Sequence, residues 1–327
     1  MMEFDMKRIA MWLAVITIVS FAAGSAVLWQ TGGPTGWDGA WHIDGTRRGG
    51  LDWDLNLEDV TESAIYEAIT FADISDVRLI DVRTVSSPVK IIPVDGDAVT
   101  AVWNGTIWTN EPLPEFITEK VGDALLIEIR HPSRRSSFSS TYKLRTIVTI
   151  EVPRAYVKDL KIKTISGDVD MGPLEMNRFS CETVSGNVIP RGSAIEFDFA
   201  TVSGDLTADA FTATRSRVET ISGNVQFKGF TGMLEAGTTS GNVGVEYPQL
   251  DGDITIKSVS GSVELELPPD AGFQMRATTF SGNISNDFPI KVKGAVEQTL
   301  EGTVGDGAHR IVIESVSGNI SVSRMNA

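Results

Sequence analysis

Thr183-Val184-Ser185-Gly186-Asn187-Val188 recurs as Thr201-Val202-Ser203-Gly204-Asp205-Leu206 and again as Thr220-Ile221-Ser222-Gly223-Asn224-Val225. The core of the phrase also stands at Ser166-Gly167-Asp168, Ser240-Gly241-Asn242, Ser260-Gly261-Ser262, Ser281-Gly282-Asn283 and Ser317-Gly318-Asn319, each followed by Val or Ile. Successive motif serines lie 19, 18, 19, 18, 20, 21 and 36 residues apart. The last gap is two periods, so a degenerate copy is expected near Glu301-Gly302-Thr303-Val304. A near-constant period of this length marks supersecondary units stacked on one another.

The flanks say what each unit is. Two residues before each serine stands Thr164, Thr183, Thr201, Thr220, Thr238, Ser258, Thr279 or Ser315. Two earlier come Ile162, Cys181, Phe199, Val218, Ala236, Ile256, Ala277 and Ile313, all apolar or small. Between these columns lie Lys163, Glu182, Ala200, Glu219, Gly237, Lys257, Thr278 and Glu314, which are polar or small. Such period-two alternation is that of a half-buried strand. A second short strand follows the motif, with Val169, Val188, Leu206, Val225, Val243, Val263, Ile284 and Ile320 pointing inward. At the corner, Gly is expected to supply a positive φ, while Ser and Asx bond their own backbone. Each unit of about 19 residues is thus strand, Ser-Gly-Asx corner, strand and return loop. Stacked about 4.8 Å apart, such units share one core that none buries alone. The predicted fold class is all-β, a right-handed β-solenoid or β-helix.

Weaker copies lie upstream. Thr84-Val85-Ser86-Ser87-Pro88-Val89 resembles the motif about four periods before Ser166, and Trp103-Asn104-Gly105-Thr106-Ile107 and Val121-Gly122-Asp123-Ala124 fall near the expected spacing. Residues 74–327 therefore read as one elongated solenoid domain, clear over 157–327 and degenerate over 74–156. A small β-sandwich-like cap is the other reading of the degenerate part. The last layer closes with Ser321-Val322-Ser323-Arg324, so an open C-terminal end and end-to-end self-association are expected.

Lys7 and Arg8 precede 21 uncharged residues, Ile9 to Trp29, enough for a helix across a bilayer. Residues 1–29 are read as a transmembrane anchor with the N-terminus in the cytoplasm and the C-terminal part outside. A cleaved signal peptide ending in Ala22-Ala23-Gly24-Ser25-Ala26 is the competing reading, and it exports the same part. Residues 30–73 read as a Gly-rich and acidic linker, with a short helix over Asp52 to Glu67. Trp37, Trp41 and Trp53 are expected against the membrane or on the first turn of the folded part.

The 327 residues carry 28 Lys+Arg against 43 Asp+Glu, a net charge of −15, which argues against nucleic acid as a partner. The single cysteine, Cys181, excludes internal disulfides and Cys-based zinc clusters, and His42, His131 and His309 lie far apart in sequence. Stacked Asx oxygens (Asp168, Asn187, Asp205, Asn224, Asn242, Ser262, Asn283 and Asn319) resemble calcium-binding repeats. With only two Asp, the reading adopted is a structural ladder in which amides bond between layers. Cys181 falls in the inward column as a small buried hydrophobe. The outward Asp159, Arg178, Glu196, Arg215, Asp253 and Gln274 form no carboxylate pair of the glycosidase kind. No catalytic residue, metal site or cofactor is assigned.

The phrase Thr-Val/Ile-Ser-Gly-Asp/Asn-Val/Ile repeated every 18 to 21 residues resembles the bacterial putative-adhesin family of β-strand-repeat proteins. So do Thr149-Ile150-Glu151-Val152-Pro153 leading to Leu160 through Gly167, and Glu266-Leu267-Pro268-Pro269 leading to Ser281-Gly282. The resemblance covers about residues 74–327 and implies a β-helix-like solenoid at the cell surface, with no catalytic residues. Relatives linked to envelope-stress systems leave sensing or scaffolding open. The function expected is a membrane-tethered, extracytoplasmic binding or scaffolding module with a surface glycan or a protein as ligand. A polysaccharide-acting β-helix enzyme and an envelope-stress signalling component are the alternatives.

Overall fold

The computed structural model describes residues 60–132, 142–296 and 298–325. The expected span over 1–29, most of the linker and Trp37, Trp41 and Trp53 lie outside the described residues, among which no helix is long and apolar enough to cross a membrane. The chain divides into two units. One comprises Glu62–Trp108, Leu113–Pro132 and Lys143–Ala327 and carries the architecture below; the other comprises Met1–Thr61, Thr109–Pro112 and Ser133–Tyr142, little of it described.

The described residues are all-β and contain no helix. The alternating columns put one face of each strand inward, and successive repeats deliver strands in turn to two long, mostly parallel sheets. Sheet A has 12 strands: Thr61–Phe71, Val99–Thr109, Tyr142–Pro153, Val89–Val94, Val169–Met171, Val188–Ile189, Leu206–Asp209, Val225–Lys228, Val243–Glu246, Val263–Leu267, Ile320–Arg324 and Ile284–Asn286, in spatial order. Sheet B has 13, running from Glu115–Val121 through Ala124–Arg130, Leu79–Arg83, Asp159–Lys163, Leu174–Glu182, Gly192–Thr201, Phe211–Thr220, Thr231–Thr238, Ile254–Ser260, His309–Ser317, Phe273–Ser281 and Thr299–Val304 to Lys291–Val296. Layers stack in register: Phe179 pairs with Phe197, Cys181 with Phe199, and Val188 with Leu206. Like residues therefore lie over like. Phe179 and Phe197 stack at 5.5 Å between ring centroids, Phe197 meets Phe211 edge-on at 4.9 Å, and all three are essentially water-free.

Layer order departs from chain order at both ends. The strand Leu79–Arg83 pairs in parallel with both Asp159–Lys163 and Ala124–Arg130, so its layer lies between two later ones. Thr84 to Val89 is thus next to Gly167 in space, not four layers away. Likewise His309–Ser317 lies between Ile254–Ser260 and Phe273–Ser281, and Ile320–Arg324 between Val263–Leu267 and Ile284–Asn286. The C-terminal coil is an interior layer, not an open end.

The double gap after Ser281 has a different cause from a missing copy. Thr299–Val304 pairs antiparallel with both Phe273–Ser281 and Lys291–Val296, forming a hairpin over the outermost layer. Val121-Gly122-Asp123-Ala124 is likewise a hairpin turn between antiparallel strands, with Gly122 at φ 64°. Trp103 to Ile107 lies within one strand, and residues 61–67, expected in a helix, belong to the strand Thr61–Phe71. Its Thr, Ile, Tyr and Phe residues suit a strand, and its acidic residues misled the helix assignment.

The corner glycines need correction too. Gly167, Gly186, Gly204, Gly223, Gly241 and Gly318 do not have positive φ; in the column only Gly261 and Gly282 do, at 155° and 158°, close to extended. Glycine is required by approach. A Cβ on Gly204 would lie 2.8 Å from the carbonyl carbon of Gly186 and nearer still to its oxygen, and the same collision recurs from Gly186 to Gly241.

Candidate functional site

The predicted corner residues come together as one edge of the stacked layers. Its inner row is Thr164, Thr183, Thr201, Thr220 and Thr238, all buried. Each Oγ1 accepts the backbone N–H of the glycine three residues on (Gly167, Gly186, Gly204, Gly223 and Gly241) at 2.8–2.9 Å. The side chain thus satisfies a donor that the turn removes from the sheet ladder.

The outer row is the Asx column. Oδ1 of Asp168 accepts the N–H of Asn187 at 2.8 Å, Oδ1 of Asn187 that of Asp205 at 3.0 Å, and Oδ1 of Asp205 that of Asn224 at 2.7 Å. Asn224 does the same for Asn242 at 3.1 Å, Asn242 for Ser262 at 2.9 Å, and Asn319 for Asn283 at 3.0 Å. The ladder is therefore side-chain oxygen to backbone N–H of the next layer. That explains why Asp and Asn alternate freely: both offer the same acceptor. Amide-to-amide bonding is not the main link. Among the described residues no group of three or more His, Cys, Asp or Glu side chains could hold a metal ion.

Between these rows the motif serines Ser166, Ser185, Ser203, Ser222, Ser240, Ser260, Ser281 and Ser317 are exposed. The hydroxyls of Ser185 and Ser203 donate to the carbonyls of Ile165 and Val184 one layer back, at 3.4 and 3.3 Å, which leaves their lone pairs facing solvent.

Sequence reasoning missed a third row. The residue before each serine points outward yet is apolar at Ile165, Val184, Val202, Ile221, Val259 and Val316, all half-buried. Val85 and Phe280, 36% and 72% exposed, continue it at the two ends, and Thr239 interrupts it once. The available signal was a broken alternation: Thr inward, then Val or Ile outward where a polar residue belongs. The edge thus carries an apolar stripe, broken at Thr239 and flanked by hydroxyls and amides, on a backbone whose own polar groups bond layer to layer (Ser185 N–H to Ile165, Ser203 to Val184, Ser222 to Val202).

The outward face of sheet B is different in kind. Arg178 bonds Asp198 at 2.6 Å and reaches Glu196 at 3.5 Å, Arg217 meets Glu235 at 3.0 Å, and Lys163 meets Glu182 at 2.8 Å. The Asp198 bond raises the Arg178 guanidinium above its ordinary value. Each of these half-exposed pairs adds little stability, but across layers they leave charges matched. Asp253 accepts the Arg310 N–H at 2.8 Å, and Gln274 donates to the Gly307 carbonyl at 3.3 Å. Cys181 is fully buried, and burial pushes its thiol well above the ordinary range, away from the reactive thiolate.

Two facing sheets of in-register layers, closed along one edge by a Thr-Gly-Asx ladder, define an all-β stacked-repeat protein. The chain belongs to the Toastrack DUF4097 family, which it matches over residues 77–323. Solved structures similar to it include a putative adhesin from Parabacteroides distasonis ATCC 8503, at 14% identity and TM-score 0.46 over 80% of this chain and 97% of that one. A putative adhesin from Bacteroides fragilis NCTC 9343 aligns at 12% identity and TM-score 0.45, over 80% of this chain and 98% of its own. A putative lipid binding protein from Parabacteroides distasonis ATCC 8503 aligns at 16% and 0.43, over 80% and 97%. No curated protein matches the chain.

Proposed function

We propose that the chain is a membrane-tethered, extracytoplasmic, adhesin-like module that binds or scaffolds without catalysis, wound as a right-handed β-solenoid with layers of about 19 residues. The observation that carries this reading is the aliphatic stripe with its Ser and Asx rows. A repeating line of apolar contacts beside fixed donors and acceptors suits an extended ligand, such as a surface glycan or an extended protein segment, held at many weak points. The uncharged stretch from Ile9 to Trp29 supplies the tether, and end-to-end self-association extends the scaffold.

The test uses the full chain in membrane vesicles, titrated with bacterial surface glycans and extended peptides while products are monitored. Saturable binding without turnover is expected. The double variant Val184→Lys with Ile221→Lys should weaken it at least tenfold and leave the unfolding midpoint within a few degrees. Turnover of a glycan would contradict the reading, as would undiminished binding by the double variant.

A further inference from the structure

Edge strands are where a sheet recruits another chain, and folded proteins usually blunt them. Among the described residues, three of the four sheet edges are short, seven residues or fewer. Sheet A ends at Ile284–Asn286, three residues long. Sheet B ends at Glu115–Val121, seven residues, and at Lys291–Val296, six. The fourth is Thr61–Phe71, 11 residues with no Lys, Arg, Pro or Gly. Its one neighbour is Val99–Thr109, fixed by a Thr70–Thr100 hydroxyl bond of 3.2 Å, and among the described residues no strand lies on its other side. Both of its faces are exposed or half-exposed; Tyr66 is 75% and Ile69 36% accessible.

We propose that this strand pairs antiparallel with the same strand of a second copy, joining two sheets A across a two-fold axis. The inference rests on the end-to-end association in the reading above and names the end, the strand and the symmetry. A two-fold axis perpendicular to the sheet keeps alternate residues on the same face, so only face-preserving registers are allowed. The two carboxylates, Glu62 and Glu67, fall on opposite faces of the strand. Glutamates meet head-on only in registers centred on Glu62 or Glu67 themselves. Centred on Tyr66, the pair sets Tyr66 against Tyr66, Ala64 against Ala68 and Glu62 against Thr70, while Glu67 faces Ile65. An aromatic cross-strand pair then replaces an exposed tyrosine, with no like charges opposed. No other edge among the described residues offers comparable length.

The test is a cysteine scan of the full chain in membranes. Cys181 is fully buried and gives a low background. Single substitutions Glu62→Cys, Ala64→Cys, Tyr66→Cys, Ala68→Cys and Thr70→Cys lie on one face of the strand, and Ser285→Cys marks the opposite edge of sheet A. Under mild oxidation, disulfide-linked dimer should peak at one position of the five and fall on either side, at least tenfold above Ser285→Cys. Adding Tyr66→Lys to the double variant Ala64→Cys with Ala68→Cys, whose thiols face each other in the Tyr66-centred register, should cut crosslinking at least tenfold. No dimer at any of the five overturns the proposal, as does a mixed disulfide between Tyr66→Cys and Ser285→Cys copies, which would mean head-to-tail assembly. The ligand titration above reads binding alone, so a monomer that still binds removes this pairing and leaves that reading standing.

Discussion

Deleting residues 309–327 is expected to abolish cooperative folding, although it removes only the C-terminus. The strands His309–Ser317 and Ile320–Arg324 lie inside the stack, each between two others. Ile311, Ile313, Ile320 and Val322 are at most 1% exposed. At about 1.5–3 kcal/mol for each buried aliphatic side chain, these four contribute roughly 6–12 kcal/mol. That is comparable to the whole net stability of an ordinary domain, about 5–15 kcal/mol. The deletion also strips Ile254, Ile256, Met275 and Ala277 of the layer they pack beside. Thermal unfolding followed by far-ultraviolet circular dichroism should show no sharp transition, or one lowered by more than about 20 °C. A truncated chain melting within a few degrees of the intact one would mean that the C-terminal coil lies at an end.

Gly204→Ala is the second large effect. The added methyl would collide with the backbone of Gly186, which cannot swing aside as a side chain could, because its own layer is held on both faces by parallel pairing. Overpacking of this kind costs about 3 kcal/mol or more, roughly 6–12 °C in Tm for a domain of this size. Gly237→Ala is the matched control: Gly237 lies in the strand Thr231–Thr238, and a Cβ there meets nothing within 4 Å. It should be neutral or raise Tm slightly, because alanine restricts the unfolded chain. Equal losses at both positions would mean that corner glycines serve local backbone freedom after all.

The strands, the inward columns and the corner were legible because each layer repeats one pattern of alternation. The order of layers was not. Periodicity records that Ile256, Ala277 and Ile313 face inward, but it cannot say which neighbours which, since every layer offers the same hydrogen-bonding edge. The 36-residue gap therefore looked like a lost copy when it holds a hairpin and a return into the stack. The role of Gly186 and Gly204 was misread for a related reason: a tight turn and a close approach both demand glycine, and only the position of the adjacent layer separates them. The aliphatic stripe from Val85 to Phe280 was present in the motif, but Val or Ile between Thr and Ser reads as ordinary strand composition until the outward direction is known. Tyr66 and its strand gave no periodic signal because neither face is buried.

The most direct test of the stacked edge is a pair of electron-spin distances, with labels placed on the exposed Asx column of the intact chain. Asp168 and Asn242 lie four layers apart and Asp168 and Asn319 six, so separations of about 19 and 29 Å are expected at about 4.8 Å per layer, before the length of the labels. A second distance near 38 Å would place the layers in chain order with an extra copy among them. Distances that do not grow with the number of layers would show that the corners are not stacked at all.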